Sequence, residues 1–284
     1  MSSRDPFVRK PFWRRGPLRD RQLRIGFVFL LAVLIFALAG PSLAPHPYDA
    51  LVGPPYGAPE GAAWLGYDYL GRDVWSRLLT GGRSILWMSI AASLIALAFG
   101  TLIGLFAGFA KGRVDQTVVW GTDVILAFPD LILVLLVVSM LGREPWLIVI
   151  TVAIAFVPGV IRLARSVTLG IAGQEFVDAA RMMGYSRRHI LLVEIMPNVL
   201  TPLLVHLGVM LTWAIAMLSG LSFLGYGVAP PAADWGLMIN ENRAGLMIQP
   251  WTVLAPVALI AIFALGTNLV AEGAGRYNAR IEER

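Results

Sequence analysis

A chain of 284 residues with 57% hydrophobic and only 14% charged residues is too apolar for a typical soluble domain, which carries about 25% charge. Its net charge of +5 is not gathered in a polar domain, so it gives little reason to expect nucleic-acid binding. The absence of cysteine excludes disulfides, thiolate catalysis and cysteine-ligated metals.

Apolar stretches long enough to cross a bilayer recur along the whole chain. A spanning helix needs about 20 mostly apolar residues, and these stretches lack the alternating pattern of barrel strands. We therefore predict an all-α membrane protein with six transmembrane helices. Their approximate limits are Leu23–Leu43, Ile85–Phe109, Val118–Leu141, Trp146–Ile161, Val199–Leu224 and Trp251–Val270.

The charge distribution predicts the orientation of these helices. If the six spans alternate, the N-terminal segment, the loops after the second and fourth spans and the tail share one side, which then holds most of the 23 basic residues. Cytoplasmic segments carry the excess of Lys and Arg, so both termini are predicted to be cytoplasmic. Ala37–Ala39 resembles a signal-peptide cleavage site, but the apolar run continues to Ala44, and we favour an uncleaved first helix.

The chain divides into four predicted segments. A basic cytoplasmic N-terminal segment covers 1–22, and the first transmembrane helix with an external loop rich in Gly and Pro covers 23–84. A five-helix core covers 85–272 and includes a cytoplasmic loop at 162–197, and a cytoplasmic tail covers 273–284. Within the external part, Asp68 is expected to cap a short helix that ends near Thr80 and lies in the membrane interface.

One polar segment stands out between the apolar spans. It runs from Glu175 to Pro197 with the sequence EFVDAARMMGYSRRHILLVEIMP. Glu175 and Asp178 lie in the early turns of a predicted helix, where the helix dipole favours acids. The residues predicted to form its apolar face, by their spacing, are Phe176, Ala179, Ala180 and Met183.

The same segment carries signals for where its helices end and begin. Gly184 suits the left-handed position that follows a helix, and Ser186 can cap the next helix. Pro197 either ends that helix or opens a new one. A loop of this kind is expected to contact a soluble partner, although the residues alone allow an ordinary amphipathic helix at the membrane surface.

This segment resembles the EAA loop of the membrane subunits of ABC importers. The family pattern places Glu-Ala-Ala, Gly and a terminal Pro at fixed spacing, which is matched by Asp178-Ala179-Ala180, Gly184 and Pro197. Asp replaces the usual Glu, Glu194 stands where Ile is usual, and Met196 where Leu is usual. The resemblance implies that the loop docks on an ATP-hydrolysing subunit, with Glu175 and Asp178 facing its basic residues.

Further blocks resemble the peptide/nickel (C-type) permeases of that family. They are LGYDYLGRDVWSRL at 65–78, LAFP at 126–129, and LSFLGYG with the later PP and WG pairs at 221–236. The resemblance implies a permease subunit of an ATP-driven importer that moves peptides, such as dipeptides or oligopeptides, by alternating access. The tail at 271–280 departs from the family pattern.

The resemblance also implies partners and a location. The expected partners are a second homologous permease subunit, two ATP-binding subunits, an extracytoplasmic substrate-binding protein and the lipid membrane, without nucleic acid. ATP and Mg are expected on the partner subunits, so no cofactor is assigned to this chain. The expected location is the bacterial inner membrane.

Several polar residues are candidates for the transport pathway or its surroundings. Ionisable groups inside a membrane are expensive, so Asp123 and His206 are candidates for the pathway, with structural hydrogen bonding as the alternative. Pro129 can kink the third span. In the second span, the small-residue stripe of Gly100, Gly104 and Gly108 permits close helix packing. Candidate contacts for a binding protein in the last external loop are Asp234, Asn240 and Glu241, and the basic residues expected to meet lipid headgroups are Arg162, Arg165, Arg187 and Arg188.

No catalytic or metal-binding constellation is found in the sequence. The three histidines are scattered, and neither HExxH nor the GxxxxGK[ST] phosphate loop occurs. We therefore expect no enzyme activity and no metal site on this chain. The alternatives left open are a self-contained secondary transporter or channel, a membrane enzyme or anchor, and a permease for nickel chelates or opine-like solutes.

Overall fold

The computed structural model describes the backbone of residues 21–282 and the side chains of residues 21–276. The prediction for the basic segment 1–22 lies almost entirely outside the described residues, and so does that for the side chains of most of the tail. The described residues form an all-helical fold, as predicted. Its α-helices are α1 Arg21–Leu43, α2 Val74–Ala110, α3 Gly112–Leu126, α4 Asp130–Leu141, α5 Pro145–Ala172, α6 Glu175–Met182, α7 Arg187–His189, α8 Met196–Phe223, α9 Trp235–Asn242 and α10 Trp251–Glu282.

Among the described residues, five long helices and one broken pair of helices are candidates for crossing a membrane. The helices α1, α2, α5, α8 and α10 are each long and apolar enough to span a bilayer. The predicted third span is instead made of α3 and α4, which meet at an angle of 77°. Pro129 adopts an extended backbone between them, and a proline also disfavours helical geometry in the residue before it. The expected kink at Pro129 is therefore a full break.

The second span is longer than its apolar run, and the predicted separate external helix is wrong. Asp73, not Asp68, caps α2 by accepting a hydrogen bond from the Trp75 backbone N–H at 3.0 Å. The helix continues through Gly81 and Gly82. Because these glycines have no side chain, Trp235 can pack closely against the helix there. A β-carbon built on Gly82 would lie 2.5 Å from the Trp235 ring.

The centre of the bundle is the contact between α2 and α5, which is the most extensive in the fold. Gly100, Gly104 and Gly108 line one face of α2, and a β-carbon at Gly100 would lie 2.5 Å from Val160 Cβ. Small residues allow two helix backbones to approach closely, so the sequence-based expectation of close packing is confirmed. Around this pair, α1 packs on α10, and α10 packs on α8.

Candidate coupling loop and translocation cavity

The polar loop contains a short helix, α6, that has one buried and one exposed apolar side. Val177 and Ala180 are buried against the bundle. The predicted apolar face is covered only in part: Ala180 is buried, whereas Phe176 is 38% exposed and Met183 is 66% exposed. Met182, the last residue of α6, is 84% exposed. Exposed apolar side chains on a charged helix are typical of a surface that another protein covers.

The acidic residues of α6 point to water. Glu175 is the first residue of the helix and is exposed. The exposed Asp178 accepts a hydrogen bond from Arg181 at 2.8 Å, three residues later on the same surface. Surface pairs of this kind add little stability, so both carboxylates are free to interact with a partner's basic residues. Ala179 is half-buried beside them.

Gly184 ends α6 in the geometry known as a Schellman motif. Its φ is +80°, its N–H donates to the Arg181 carbonyl at 3.0 Å, and the Tyr185 N–H donates to the Ala180 carbonyl at 3.2 Å. These two bonds satisfy carbonyls that the helix end would leave unpaired. Ser186 then caps α7 by accepting from the His189 N–H at 3.2 Å. The predicted roles of Gly184 and Ser186 as helix-end residues are confirmed.

No break separates α7 from the fifth span. Residues Ile190–Ile195 form a π-helix that leads directly into α8. Pro197 lies in the first turn of α8, directly after the π-helix and within one continuous helical stretch from Arg187 to Phe223. Of the two sequence-based options for Pro197, the structure shows the start of an α-helical segment rather than the end of a helix.

A cavity of about 600 Å³ lies between α4, α5 and α8. Its lining is mainly apolar and includes Phe156 of α5 and Trp213 of α8. Its two ionisable side chains are Asp130, at the start of α4, and His206 of α8, and both are half-buried. The break at Pro129 places Asp130 here. Asp130 was absent from the sequence-based candidates, although an acid inside an apolar run was an available signal.

Asp123 lies outside this cavity. Its carboxylate accepts a short hydrogen bond from Arg162 of α5, with both side chains about half exposed. Nearby, Asp115 accepts from Arg165 through two nitrogens, with Arg165 Nη2 at 2.6 Å from Asp115 Oδ2. The expectation that Arg162 and Arg165 meet lipid headgroups stays a prediction. Within the chain, both of them fasten α3 to α5.

The end of the bundle opposite α6 holds a buried cluster of charges. Glu241 of α9 accepts from Arg72 and Arg77, each at 2.8 Å, and from the Tyr69 hydroxyl at 3.3 Å. Arg72 also donates to Asp68 at 2.6 Å. The Glu241 side chain is only 6% exposed. The cluster joins the loop before α2 to α9, so Glu241 has an internal role.

Asp234 and Asn240, the other candidates in the last external loop, also bond within the chain. Asp234 is fully buried, caps α9 by accepting from the Leu237 N–H at 3.1 Å, and accepts from Ser84 at 2.8 Å. Burial raises the pKa of the Asp234 carboxyl. Asn240 donates to the Phe223 carbonyl. Contact with a binding protein stays a prediction for these residues, and their burial argues against it for Asp234 and Glu241.

These features define a multi-pass helical membrane protein with a half-open cavity and an ordered polar loop. Residues 100–280 match the family described as binding-protein-dependent transport system inner membrane component. The chain belongs to that family, and it is a permease subunit of an ABC importer.

Its relatives extend over nearly the whole chain. It is 35% identical over 279 residues to the glutathione transport system permease protein GsiD of Pectobacterium atrosepticum, covering 95% of this chain and 91% of that one. It is 34% identical over 260 residues to a protein of Brucella abortus biovar 1 that is named for peptide transport, covering 91% and 88%. It is also similar, at 16% identity and a TM-score of 0.48, to a chain of the inward-facing MetNI methionine ABC transporter, covering 66% and 94%.

Proposed function

We propose that this chain moves peptides across the bacterial inner membrane and is driven by ATP-binding partner subunits. The proposed coupling to ATP is supported by the loop at 175–184. There a charged helix exposes Phe176, Met182 and Met183 and ends at Gly184, which has a positive φ. The exposed apolar side of such a helix can bind in a groove on a soluble subunit. Glu175 and Asp178 then face basic residues of that subunit.

The proposed assembly has two permease subunits, two ATP-binding subunits and an extracytoplasmic binding protein. The cavity of about 600 Å³ is half-open, and a second permease subunit closes it into a pathway. ATP and Mg act on the partner subunits, where their binding changes the separation of the two coupling loops. Alternating access follows if each state makes different contacts at this loop.

The peptide substrate is proposed from the relatives and is consistent with the cavity. Relatives of this chain are named for glutathione and peptide transport. The apolar lining with Asp130 and His206 offers weak contacts for side chains and two polar positions for the ends of a peptide. Asp130 and His206 are therefore the proposed pathway residues, whereas Asp123 is proposed to hold α3 in place.

Orientation follows from charge. The loop that contains α6 carries Arg181, Arg187 and Arg188, so we place it in the cytoplasm together with both termini. This places the ion cluster around Glu241 on the outer side.

The first experiment is purification of the chain from its native membrane in a mild detergent, with the co-purifying proteins identified by mass spectrometry. We expect two ATP-binding subunits and a sister permease. Replacing an exposed methionine in the coupling helix, Met182→Glu, should release the ATP-binding subunits. The matched control Met247→Glu should retain them, because Met247 is 94% exposed in the last external loop.

Transport itself is tested with the assembly in liposomes that contain ATP. We expect uptake of labelled dipeptides or glutathione, and we expect Gly184→Pro to abolish solute-stimulated ATP hydrolysis, because proline cannot adopt a φ of +80° and has no N–H to donate to Arg181. Uptake that follows a proton or sodium gradient without ATP-binding subunits would show a secondary transporter instead.

A further inference from the structure

We propose that a second cavity, between the inner end of α2 and the coupling loop, binds an anionic phospholipid. This cavity has a volume of about 650 Å³. One wall is formed by Phe106 and Phe109 of α2, and the other includes Tyr185, Arg187 and Arg188. It is thus apolar on the membrane side and cationic on the loop side. Binding of the lipid does not depend on which solute the protein transports.

The charge of the loop wall calls for an anion. Among the described side chains, those of residues 21–276, Arg187 and Arg188 have no hydrogen-bond or ion-pair partner, and both are exposed. By contrast, Arg181 on the same wall is paired with Asp178. Two adjacent guanidinium groups match the oxygens of a phosphodiester, to which they can each donate paired hydrogen bonds.

The apolar wall indicates a lipid rather than a small soluble anion. Phe106 is 58% exposed and Phe109 half-buried in the last turns of a membrane-spanning helix. Lys111 follows directly after the helix, which marks the boundary with the headgroups. A soluble phosphate would use the arginines and leave the rings bare. A phospholipid places its phosphate at the arginines and its acyl chains on the rings.

A lipid in this position would join two parts of the transporter. Its acyl chains would touch α2, which packs against α5 in the centre of the bundle, and its phosphate would hold Arg187 and Arg188, which begin α7 just after Gly184. The order of the coupling loop would then depend on the anionic lipid content of the membrane.

The test measures lipid retained by the full chain in native mass spectrometry. The purified chain is titrated with phosphatidylglycerol or with phosphatidylcholine of the same acyl chains. We expect preferential binding of phosphatidylglycerol, and an approximately tenfold or larger loss of affinity in the double variant Arg187→Gln/Arg188→Gln, since charge-assisted bonds are lost. The matched control Arg113→Gln/Arg276→Gln removes two exposed arginines from the same side and should bind as the unchanged protein does.

Four outcomes would overturn the proposal. Equal binding of the two lipids, or equal loss in both double variants, would show that no defined site exists. Competition by inorganic phosphate at concentrations comparable to the lipid would show that the cavity recognises a free anion. Finally, Phe109→Ala should weaken phosphatidylglycerol binding, and its failure to do so would show that the acyl chains lie elsewhere.

Discussion

Replacing Gly184 with Ala should loosen the coupling loop by an amount set by backbone conformation alone. A β-carbon built on Gly184 meets no atom within 4 Å, so the substitution adds no steric clash. The φ of +80° nevertheless disfavours Ala by about 1–2 kcal/mol, because a β-carbon is strained in left-handed geometry. This corresponds to a decrease of about fivefold to thirtyfold in the ratio of closed to open loop.

Amide hydrogen exchange measures this ratio directly. The N–H groups of residues 184 and 185 are held by the carbonyls of Arg181 and Ala180, so their exchange should accelerate by the same factor if exchange proceeds through local opening. Gly184→Asn should exchange more slowly than Gly184→Ala, since Asn adopts left-handed geometry more readily. Equal acceleration in the two variants would refute the backbone argument.

Gly225 provides a matched control for function. It ends α8 on the outer side in the same motif, with a φ of +85° and N–H bonds from residues 225 and 226 to the carbonyls of Ser222 and Leu221. Gly225→Ala should therefore loosen its own helix end by a similar factor. In the assembled transporter, solute-stimulated ATP hydrolysis should fall more in Gly184→Ala than in Gly225→Ala. An equal fall would indicate general destabilisation.

Three further predictions concern carboxylates. Glu241→Gln leaves the buried Arg72 and Arg77 with Asp68 as the carboxylate they still share. It should lower the free energy of unfolding by about 3 kcal/mol, seen as a lower melting temperature in detergent, whereas an unchanged value would contradict the cluster's structural role. Asp130→Asn should reduce uptake of peptides with a free amino terminus more than Asp123→Asn does, measured in liposomes, and an equal reduction would remove Asp130 from the pathway. For Asp234 the pKa is raised by burial, so its contribution to stability is fully present below about pH 4 and is lost as the pH rises through the raised value. Asp234→Asn can still cap α9, and it should abolish this loss of stability. The measurement is the unfolding midpoint from pH 4 to 8. A midpoint that declines with pH as steeply in the variant as in the unchanged protein would contradict the prediction.

The sequence predicted the helices well wherever apolar length was the deciding factor. Five of the six spans appear as single helices near their predicted positions, and the small-residue stripe of α2 packs as expected. The prediction of the third span as a single helix was wrong, because hydropathy contains no information about backbone geometry. Its apolar run continues through the break at Pro129, which makes it indistinguishable from a straight helix by composition.

Tertiary contacts account for the remaining errors. A short external helix was predicted to end near Thr80, but α2 continues through Gly81 and Gly82, where the ring of Trp235 packs from more than 150 residues away. Spacing placed Phe176, Ala180 and Met183 on one apolar face of α6. Of these only Ala180 is buried, and Val177, which lies off that face, is buried as well. Nothing local distinguishes a face that packs on its own bundle from one that is left for a partner.

The partners of the charged residues also could not be predicted from the sequence. Arg162 and Arg165 were predicted to lie in a cytoplasmic loop, but they belong to α5. Their acidic partners lie about 40 and 50 residues earlier in the chain, so the sequence did not show the pairing. Glu241 similarly pairs with Arg72, which lies 169 positions earlier in the chain. Pairing between distant segments becomes visible only when the fold is known.

The cluster around Glu241 makes the outer end of the subunit stiff. Its bonds join residues 164 and 169 positions apart in the chain, and Trp235 adds a further bond to the Leu78 carbonyl at 2.9 Å. The ion pairs of the inner end, Arg162 with Asp123 and Arg165 with Asp115, are more exposed than this cluster, and α3 is separated from α4 by a break. A movement applied at the inner end would then rotate the helices about their outer ends, which this cluster holds together. The outer end of the subunit would be the pivot of that rigid-body rotation.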